Sequence, residues 1–497
     1  MPASPSTARA INDRLALRLM QREGPLTAGQ LKQLTGLSRP TVADLVERLT
    51  AAGLITVTGE SGSRRRGPNA RLYGIVADRA HLAALDVRTE GVAVVVSDLL
   101  GAELARASVP IADDAGTGPA VERAVALVER TAKEAGAERL HTVGIGAPGL
   151  IDPATGELRD SSGLPAWHRR FVAALQERLP DARVLVENET NLAALAEQRE
   201  GAARDRDTFV LLWLGHGAGA AVVLDGVLRR GASGGTGEIG FLPVPGTTKL
   251  PSATDCEGGF HSLAGSAAIA RLAAQYGVAA EGAPHEPYAA ALVREAVRAE
   301  TEEAVRRGTR TAVGRGVEGA AVAQGGGVET DAESTVDRTG TKAAVRRGAE
   351  GVAVEAAPGA AGDQRAAKTA FTQGVVAAAG AVVDRRDAEA PVADRSAVGA
   401  DAAVRASLFL DALADRVAIG AASVVAVLDP GCVVLGGEIG QAGGDALADR
   451  VGERLGRMSP LPVEMRASLL GGSAVLRGAL LTAREGAQDE LFAPPAR

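Results

Sequence analysis

The sequence predicts an α/β body carried behind a small, basic, helical head. Residues 1–75 hold eleven Arg and Lys against five Asp and Glu, so a net charge of −7 over 497 residues divides into +6 on the head and −13 on the remainder. Apolar residues recur at helical spacing through the head, whereas from residue 80 strand-like and helix-like runs alternate. That alternation begins afresh near residue 208, which gives the body two sets of strands.

Composition narrows the function classes. Hydrophobic residues make up 46% and charged residues 23%, which excludes a wholly disordered chain. With 2 Trp, 3 Tyr and 7 Phe, cores must be built from Leu, Val, Ala and Ile, and an aromatic platform for single-stranded nucleic acid is disfavoured. Cys256 and Cys432 belong to no paired spacing, so neither a disulfide framework nor a Cys-only zinc site is supported. The opening stretch has no apolar signal core, and no run of about 18 apolar residues occurs anywhere. A soluble, cytoplasmic protein is expected.

In the head, Ile11, Leu15 and Leu19 mark a first helix that Gly24-Pro25 stops. Thr27 with Gln30 forms a capping box for a second helix presenting Leu31 and Leu34, and Gly36 supplies the turn. Ser38-Arg39-Pro40 opens a third helix with Val42, Leu45, Val46 and Leu49 on its core stripe and Arg39 and Thr41 off it. Residues 54–58 and 71–75 read as a hairpin around a loop that carries Arg64, Arg65 and Arg66. Three helices and a basic hairpin are the order of a winged helix-turn-helix, whose third helix enters the major groove. Arg39 and Thr41 are the candidates at the base edges, with Ser38 beside them among the DNA-binding residues and the three wing arginines on phosphate or in the minor groove. The plainer reading is an accessory three-helix bundle with a solvated arginine loop.

In the body, residues 82–87 and 92–98 read as neighbouring strands, 121–134 as a helix and 142–146 as a buried strand. Residues 208–214, 220–224 and 432–437 supply the strands of the second set. Residues 301–400 contain no Leu, no Ile and one aromatic, Phe371, too little large apolar surface to offset ordering entropy, so a mostly disordered or weakly helical insert is expected.

Taken in order, the basic head, Gly144-Ile145-Gly146-Ala147-Pro148-Gly149, Glu187-Asn188-Glu189-Thr190-Asn191, Gly237-Glu238-Ile239-Gly240, and Leu428-Asp429-Pro430 with Leu435-Gly436-Gly437 resemble the ROK family of repressors and sugar kinases. The resemblance implies an actin-like, ribonuclease H-like pair of α/β lobes with a sugar site in the cleft between them. It divides the chain into a winged helix-turn-helix domain at 1–76, a first lobe at 77–196, and a second lobe at 197–487 that the insert at about 300–400 interrupts.

Departures from the family pattern point to the regulators. Where the kinases carry a glycine-rich phosphate loop, this chain has Asp86-Val87-Arg88-Thr89-Glu90, in which no glycine lets the backbone approach a phosphate. Glu189 stands where the kinases place a catalytic Asp, and its extra methylene displaces the carboxylate. Phe241 replaces a zinc-binding His, and Cys256 alone remains of three clustered cysteines, so the zinc site is expected to be lost. His261 takes the place of a sugar-contacting Glu.

The candidate sugar ligands are therefore Asn188, Glu189, Glu238 and His261. Amides and carboxylates grip paired hydroxyls, and Glu238 is expected just before a strand. Against this stand plainer roles: helix capping for Asn188, a surface ion pair for Glu238, an ordinary hydrogen-bonded residue for His261. Gly217 and Gly219, with Gly436 and Gly437, are the candidate nucleotide contacts, and the alternative for the first pair is a tight β-turn.

These readings converge on a regulator, most simply a repressor, that binds operator DNA as a homodimer or dimer of dimers and takes a carbohydrate effector, with no metal or other cofactor. The alternative is an ATP-dependent sugar kinase with Glu189 as base and magnesium as cofactor. A third reading makes the body a dimerisation platform that binds no small molecule.

Overall fold

The computed structural model describes residues 5–61, 70–112, 114–159, 165–252, 255–282, 287–321 and 392–493. The chain divides into one unit of residues 1–304 with 399–497 and a second of residues 305–398. Of the second unit, only helical stretches up to Ala321 and from Val392 fall among the described residues.

The head opens with α1 (Pro5–Glu23), β1 (Leu26–Thr27), α2 (Ala28–Thr35) and α3 (Arg39–Ala51), followed by the antiparallel pair β2 (Ile55–Ser61) and β3 (Ala70–Ile75). The capping box forms: the Thr27 hydroxyl accepts from Gln30 N at 3.2 Å and the Gln30 side chain accepts from Thr27 N at 2.9 Å. Gly36 closes α2 at φ 71°, and the Ser38 hydroxyl accepts from Thr41 N at 3.3 Å to start α3. Val42, Leu45, Val46 and Leu49 are all buried.

The face of α1 corrects the sequence expectation. Ala16, Leu17 and Met20 make the packing with Leu19 beside them, while Ile11 and Leu15 are 57% and 40% exposed. An i, i+4 series marks a face without saying which neighbouring face meets protein. The two-residue β1 pairs Leu26 with Tyr73, making a three-stranded sheet too short at that edge for alternation to reveal.

In the first lobe, β4 (His81–Arg88), β5 (Gly91–Asp98) and β6 (Glu103–Pro110) form an antiparallel meander. After α4 (Thr117–Glu134), β7 (Leu140–Ala147) joins β4 in parallel; after α5 (Trp167–Arg178), β8 (Arg183–Asn188) joins β7, and α6 (Glu189–Glu200) leads out. The second lobe repeats the plan with an antiparallel meander of β9 (Phe209–Leu214), β10 (Ala218–Leu224) and β11 (Val227–Arg229). Next come α7 (His261–Ala264), α8 (Ser266–Gln275), α9 (Tyr288–Ala321) and α10 (Val392–Leu428), before β12 (Cys432–Gly436) joins β9 in parallel. Finally α11 (Gly437–Met458), bent at Gly444, leads to β13 (Glu464–Ala467) beside β12, and α12 (Ala474–Leu491) follows. The sheet orders, β6-β5-β4-β7-β8 and β11-β10-β9-β12-β13, are the same order twice. The β4–β5 and β9–β10 turns therefore occupy equivalent places in the two lobes.

Two expectations change and a third gains detail. At the flanks of the insert, expected to be mostly disordered or weakly helical, α9 runs through residues 301–321 and α10 begins at Val392; residues 322–391 lie outside the described residues. The root of α9 is anchored in the second core by buried Ala289, Leu292, Val293 and Ala296, and Arg298 pairs with Glu295 and Glu302 along the helix. Glu238 precedes a single 3-10 turn, Ile239–Phe241, rather than a strand. The C-terminal helix, placed above in the second lobe, packs against β4, β7 and α6. Gly478 makes this possible, since a Cβ there would lie 2.0 Å from the Leu192 carbonyl oxygen. Thus α6 and α12 fill the space between the sheets with Leu192, Ala193, Val475 and Ala479 against Phe209, Leu211 and Val434.

The head is fused to this body by shared core. Leu17, Met20, Leu45 and Ile55 pack in one cluster with Leu82, Leu99, Ala483, Ala487 and Phe492, and Arg14 pairs with Asp489. Among the described residues no helix is long and apolar enough to cross a membrane.

Candidate ligand cleft and nucleic-acid interface

The head presents Arg39 exposed on the first turn of α3, with Thr41 half-exposed and its hydroxyl 2.7 Å from that of Ser38. Ser38 therefore serves as the cap that orients this turn. Arg48, further along α3, is held by Asp13 at 2.6 Å and locks α3 to α1. Arg64, Arg65 and Arg66 lie outside the described residues.

In the body, β8 ends on Glu187 and Asn188, and Glu189 opens α6. Asn188 caps the helix: its Oδ1 accepts from Thr190 N at 2.8 Å and Asn191 N at 3.3 Å, while its Nδ2 donates to Gly149 O at 3.0 Å and Glu189 Oε2 at 3.2 Å. The plainer expectation thus describes Asn188 well, because both ends of its amide are engaged within the protein and it positions Glu189. Glu187, which sequence reasoning passed over, is buried; it accepts from Asn188 N at 3.0 Å and Asn191 Nδ2 at 2.9 Å. Its other oxygen meets Arg230 Nε of the second lobe at 2.6 Å, so Glu187 ties the lobes together at this end of the cleft.

A second tie closes the other end. Arg88, the last residue of β4, donates to Asp86 at 2.8 Å, to Glu438 of the second lobe at 3.2 Å and to the Gly472 carbonyl at 3.3 Å. Gln441, one turn after Glu438, accepts from Gly472 N at 2.9 Å, and buried Glu197 at the far end of α6 holds Ser468 at 2.5 Å and Leu470 N at 3.1 Å. The guanidinium is thus gripped from both lobes and from the loop that leads into α12. Glycines complete the fit on the second lobe. Gly437 sits at φ 76°, where a Cβ would meet Leu214 O at 2.3 Å, and a Cβ on Gly215 would lie 2.6 Å from Glu438 Oε2. Gly436 packs on the Leu211 side chain.

Carboxylates crowd the space between these ties. Burial pushes Glu189 up to about 8, and the charges of Asp86, Glu238 and Glu438 add to the shift. Burial likewise raises Asp86 and Glu438, with Arg88 pulling both back, and raises Glu238. At neutral pH Glu189 is mostly protonated, so it can donate as well as accept a hydrogen bond. His261 opens α7 beside Gly217 and Gly240, and burial, with His216 nearby, holds its imidazole below the usual value and hence neutral. A neutral imidazole and a protonated carboxyl suit hydroxyl groups.

The remaining candidates are placed as follows. Gly217 lies in the three-residue β9–β10 turn with its Cα facing the His261 ring, and Gly219 lies in β10 opposite Trp213 and beside the Thr190 hydroxyl. Phe241 is 39% exposed, and burial raises the Cys256 thiol, which disfavours the thiolate a metal would need. Among the described residues no group of three or more His, Cys, Asp or Glu is arranged to hold a metal ion.

Comparison with known proteins accords with this geometry. The ROK family pattern matches residues 83–333, and the MarR family pattern matches residues 11–66. The xylose repressor of Caldicellulosiruptor bescii is 24% identical over 240 residues, 48% of this chain and 59% of that protein. The DNA-binding transcriptional dual regulator NagC of Escherichia coli is 24% identical over 244 residues, 48% of this chain and 58% of that protein. The chain therefore spans somewhat under three fifths of the length of these relatives. A solved ROK family transcriptional regulator, a homologue of the E. coli MLC protein, superposes with a TM-score of 0.60 over 98% of both chains at 17% identity, a likeness of fold. Two lobes built on one repeated sheet order, a helical head fused to them, and a family pattern covering just over half of the residues place the protein: the chain belongs to the ROK family.

Proposed function

We propose that the protein is a sugar-responsive, DNA-binding transcriptional repressor that acts as a homodimer in the cytoplasm. The observation that carries this reading is the course of α12. The helix starts two residues after Gly472, whose carbonyl Arg88 holds, and its last turns bring Ala483, Ala487 and the following Phe492 into the core of the head beside Leu17, Leu45 and Ile55. Its 18 residues span about 27 Å as a rigid rod, so a change of lobe angle at the cleft arrives at the head. In a dimer, whose half-sites lie about one turn of DNA apart, a small rotation of each head changes the spacing that the operator reads.

A neutral sugar would lie against Glu189, Glu238 and His261, with Glu187 and Asn188 as positioning residues. The kinase alternative is weaker on two counts. A base must be ionised to take the hydroxyl proton, and Glu189 is held protonated to about 8. In the first lobe the turn equivalent to the glycine-bearing β9–β10 turn is Thr89-Glu90, which has no glycine and follows directly on Arg88, whose guanidinium is already engaged by Asp86 and Glu438. The effector site is therefore proposed to work without nucleotide, magnesium or zinc.

The test is selection of genomic fragments bound by the full chain, then titration of a hexose panel into the protein–operator complex. At least a tenfold loss of operator affinity with one neutral sugar is expected. Failure to select any fragment would refute the reading. So would steady phosphoryl transfer from ATP to a hexose that Glu189→Gln abolishes.

A further inference from the structure

The charge division between head and body has a counterpart in space. A basic head on an acidic body should meet across complementary charges, yet the cavity between them is lined by arginines from both sides. Arg18 and Arg22 of α1 face Arg199 of α6 and Arg484 of α12 across about 870 Å³. Against these four cations the lining holds two carboxylates, Glu485 and Asp489.

The pairing is loose. Arg199 reaches Glu485 at 3.4 Å and Arg18 reaches Asp489 at 3.7 Å, both longer than the roughly 2.7–2.9 Å of a strong charged hydrogen bond. Asp489 is shared with Arg14, and Arg22 is met by its neighbour Glu23 at 2.7 Å. Arg484 donates from Nη1 to the Leu100 carbonyl at 3.2 Å, while its Nε is buried with no hydrogen-bond partner. Arg18, Arg22 and Arg199 are each more than half exposed, so their guanidinium groups are free to turn toward an anion, and four arginines around one cavity raise the local positive potential that would attract it.

We propose that this cavity binds a small phosphate-bearing molecule, distinct from the sugar of the interlobe cleft, gripped by Arg18, Arg199 and Arg484. The volume lies within the roughly 300–1,000 Å³ range of small-ligand sites, and guanidinium groups match phosphate oxygens in bidentate geometry. Because half of the wall belongs to the body, the phosphate is that of a small molecule and not of a DNA backbone. Its occupant cross-links α1 to α6 and α12, and so stiffens the joint through which cleft movement must pass.

Inorganic phosphate and glucose 6-phosphate are titrated into the full chain by calorimetry and thermal shift, with NaCl holding ionic strength constant. These titrations contain neither DNA nor neutral sugar, so their outcome is independent of the repressor reading, and duplex binding by the variants is measured separately. Saturable binding by at least one probe is expected. Arg199→Gln and Arg484→Gln should each weaken it at least tenfold, whereas Arg298→Gln, which removes an exposed pair on α9, should leave it unchanged. If the glutamine variants do not fold, Arg484→Lys, which keeps the charge and loses the fork, should weaken binding at least threefold. Stabilisation no greater than NaCl gives, or wild-type affinity in the variants, overturns the proposal. So does loss of duplex affinity in the variants with no phosphate binding by the wild type, which would assign these arginines to DNA.

Discussion

The Arg88–Glu438 contact can be tested as a double-mutant cycle, and the single variants should not behave alike. Arg88→Gln leaves Asp86, which is 2% exposed, and Glu438 facing Glu189 and Glu238 without a cation. Removing one partner of a buried pair costs about 3–5 kcal/mol, and proton uptake by the stranded carboxyls offsets part of it, so about 2–4 kcal/mol is expected at pH 8. Glu438→Gln is different. Burial already pushes this carboxyl up and Arg88 pulls it back only in part, so loss of its charge also removes a desolvation cost, and a change within about 1 kcal/mol is expected.

At 3.2 Å the pair is worth about 1 kcal/mol with the dielectric of water and about 5 kcal/mol with the effective value near 20 suited to protein sites. The double variant should accordingly be about 1–3 kcal/mol more stable than the sum of the single changes implies. Urea unfolding read by tryptophan fluorescence suits the measurement, because Trp167 lies on α5 of the first lobe and Trp213 on β9 of the second. At pH 5.5 the raised carboxyls are more fully protonated and the coupling should shrink. Additivity within about 0.5 kcal/mol at pH 8 would show that the bridge does not hold the lobes in solution, and the reasoning from it would fail.

Three further outcomes follow from named contacts. Ser38→Ala removes the acceptor of Thr41 N and should lower head stability by about 1 kcal/mol and weaken operator binding; unchanged melting of the head would refute the capping role. Gly478→Ala inserts a methyl 2.0 Å from Leu192 O, which must push α12 off α6 at a cost of about 1–3 kcal/mol; under the repressor reading it should blunt the sugar response more than it weakens sugar binding, with equal losses in both counting against α12 as the transmitting element. Glu189 titrates at about 8 in the fold against an ordinary value of 4.5, so the stability its proton confers is complete below about 4.5 and is lost as pH rises through 8. Glu189→Gln should therefore match the wild type near pH 4.5 and melt higher than it at pH 9, and parallel pH profiles would refute the shift.

What the sequence disclosed was local. The capping box at Thr27 and Gln30, the αL turn at Gly36 and the four-residue stripe of α3 each lie within a few residues of chain, where spacing dictates geometry. The edge strand β6 was missed because Leu104 and Val109 are its large aliphatics and Leu104 is 44% exposed, so no apolar face is written into it. In the cleft, motif order located Asn188, Glu189 and Glu238 but could not assign their duties. The capping geometry that makes Asn188 a positioning residue depends on Gly149, 39 residues away. Arg88 and Glu438 are 350 residues apart, and nothing in either neighbourhood names the other. Glu438 follows directly on the Gly436-Gly437 pair that was read for its glycines alone.

The repeated sheet order sharpens what the two ties imply. Equivalent turns face the same gap: Gly215-His216-Gly217 after β9, and the two-residue Thr89-Glu90 turn after Arg88 at the end of β4. A cation attached covalently to one lobe cannot be released or exchanged, so the Arg88 end of the cleft is neutralised at every ligand concentration. A sugar can shift the lobe equilibrium only through the difference in its affinity for the two lobe arrangements. Under the repressor reading that difference must arise at the other end, where Arg230 of the second lobe grips Glu187 of the first at 2.6 Å and Glu187 in turn fixes Asn188 and Asn191 at the root of α6. Rotation then pivots about Arg88, and α6 and α12, packed together through Gly478, carry it to the head.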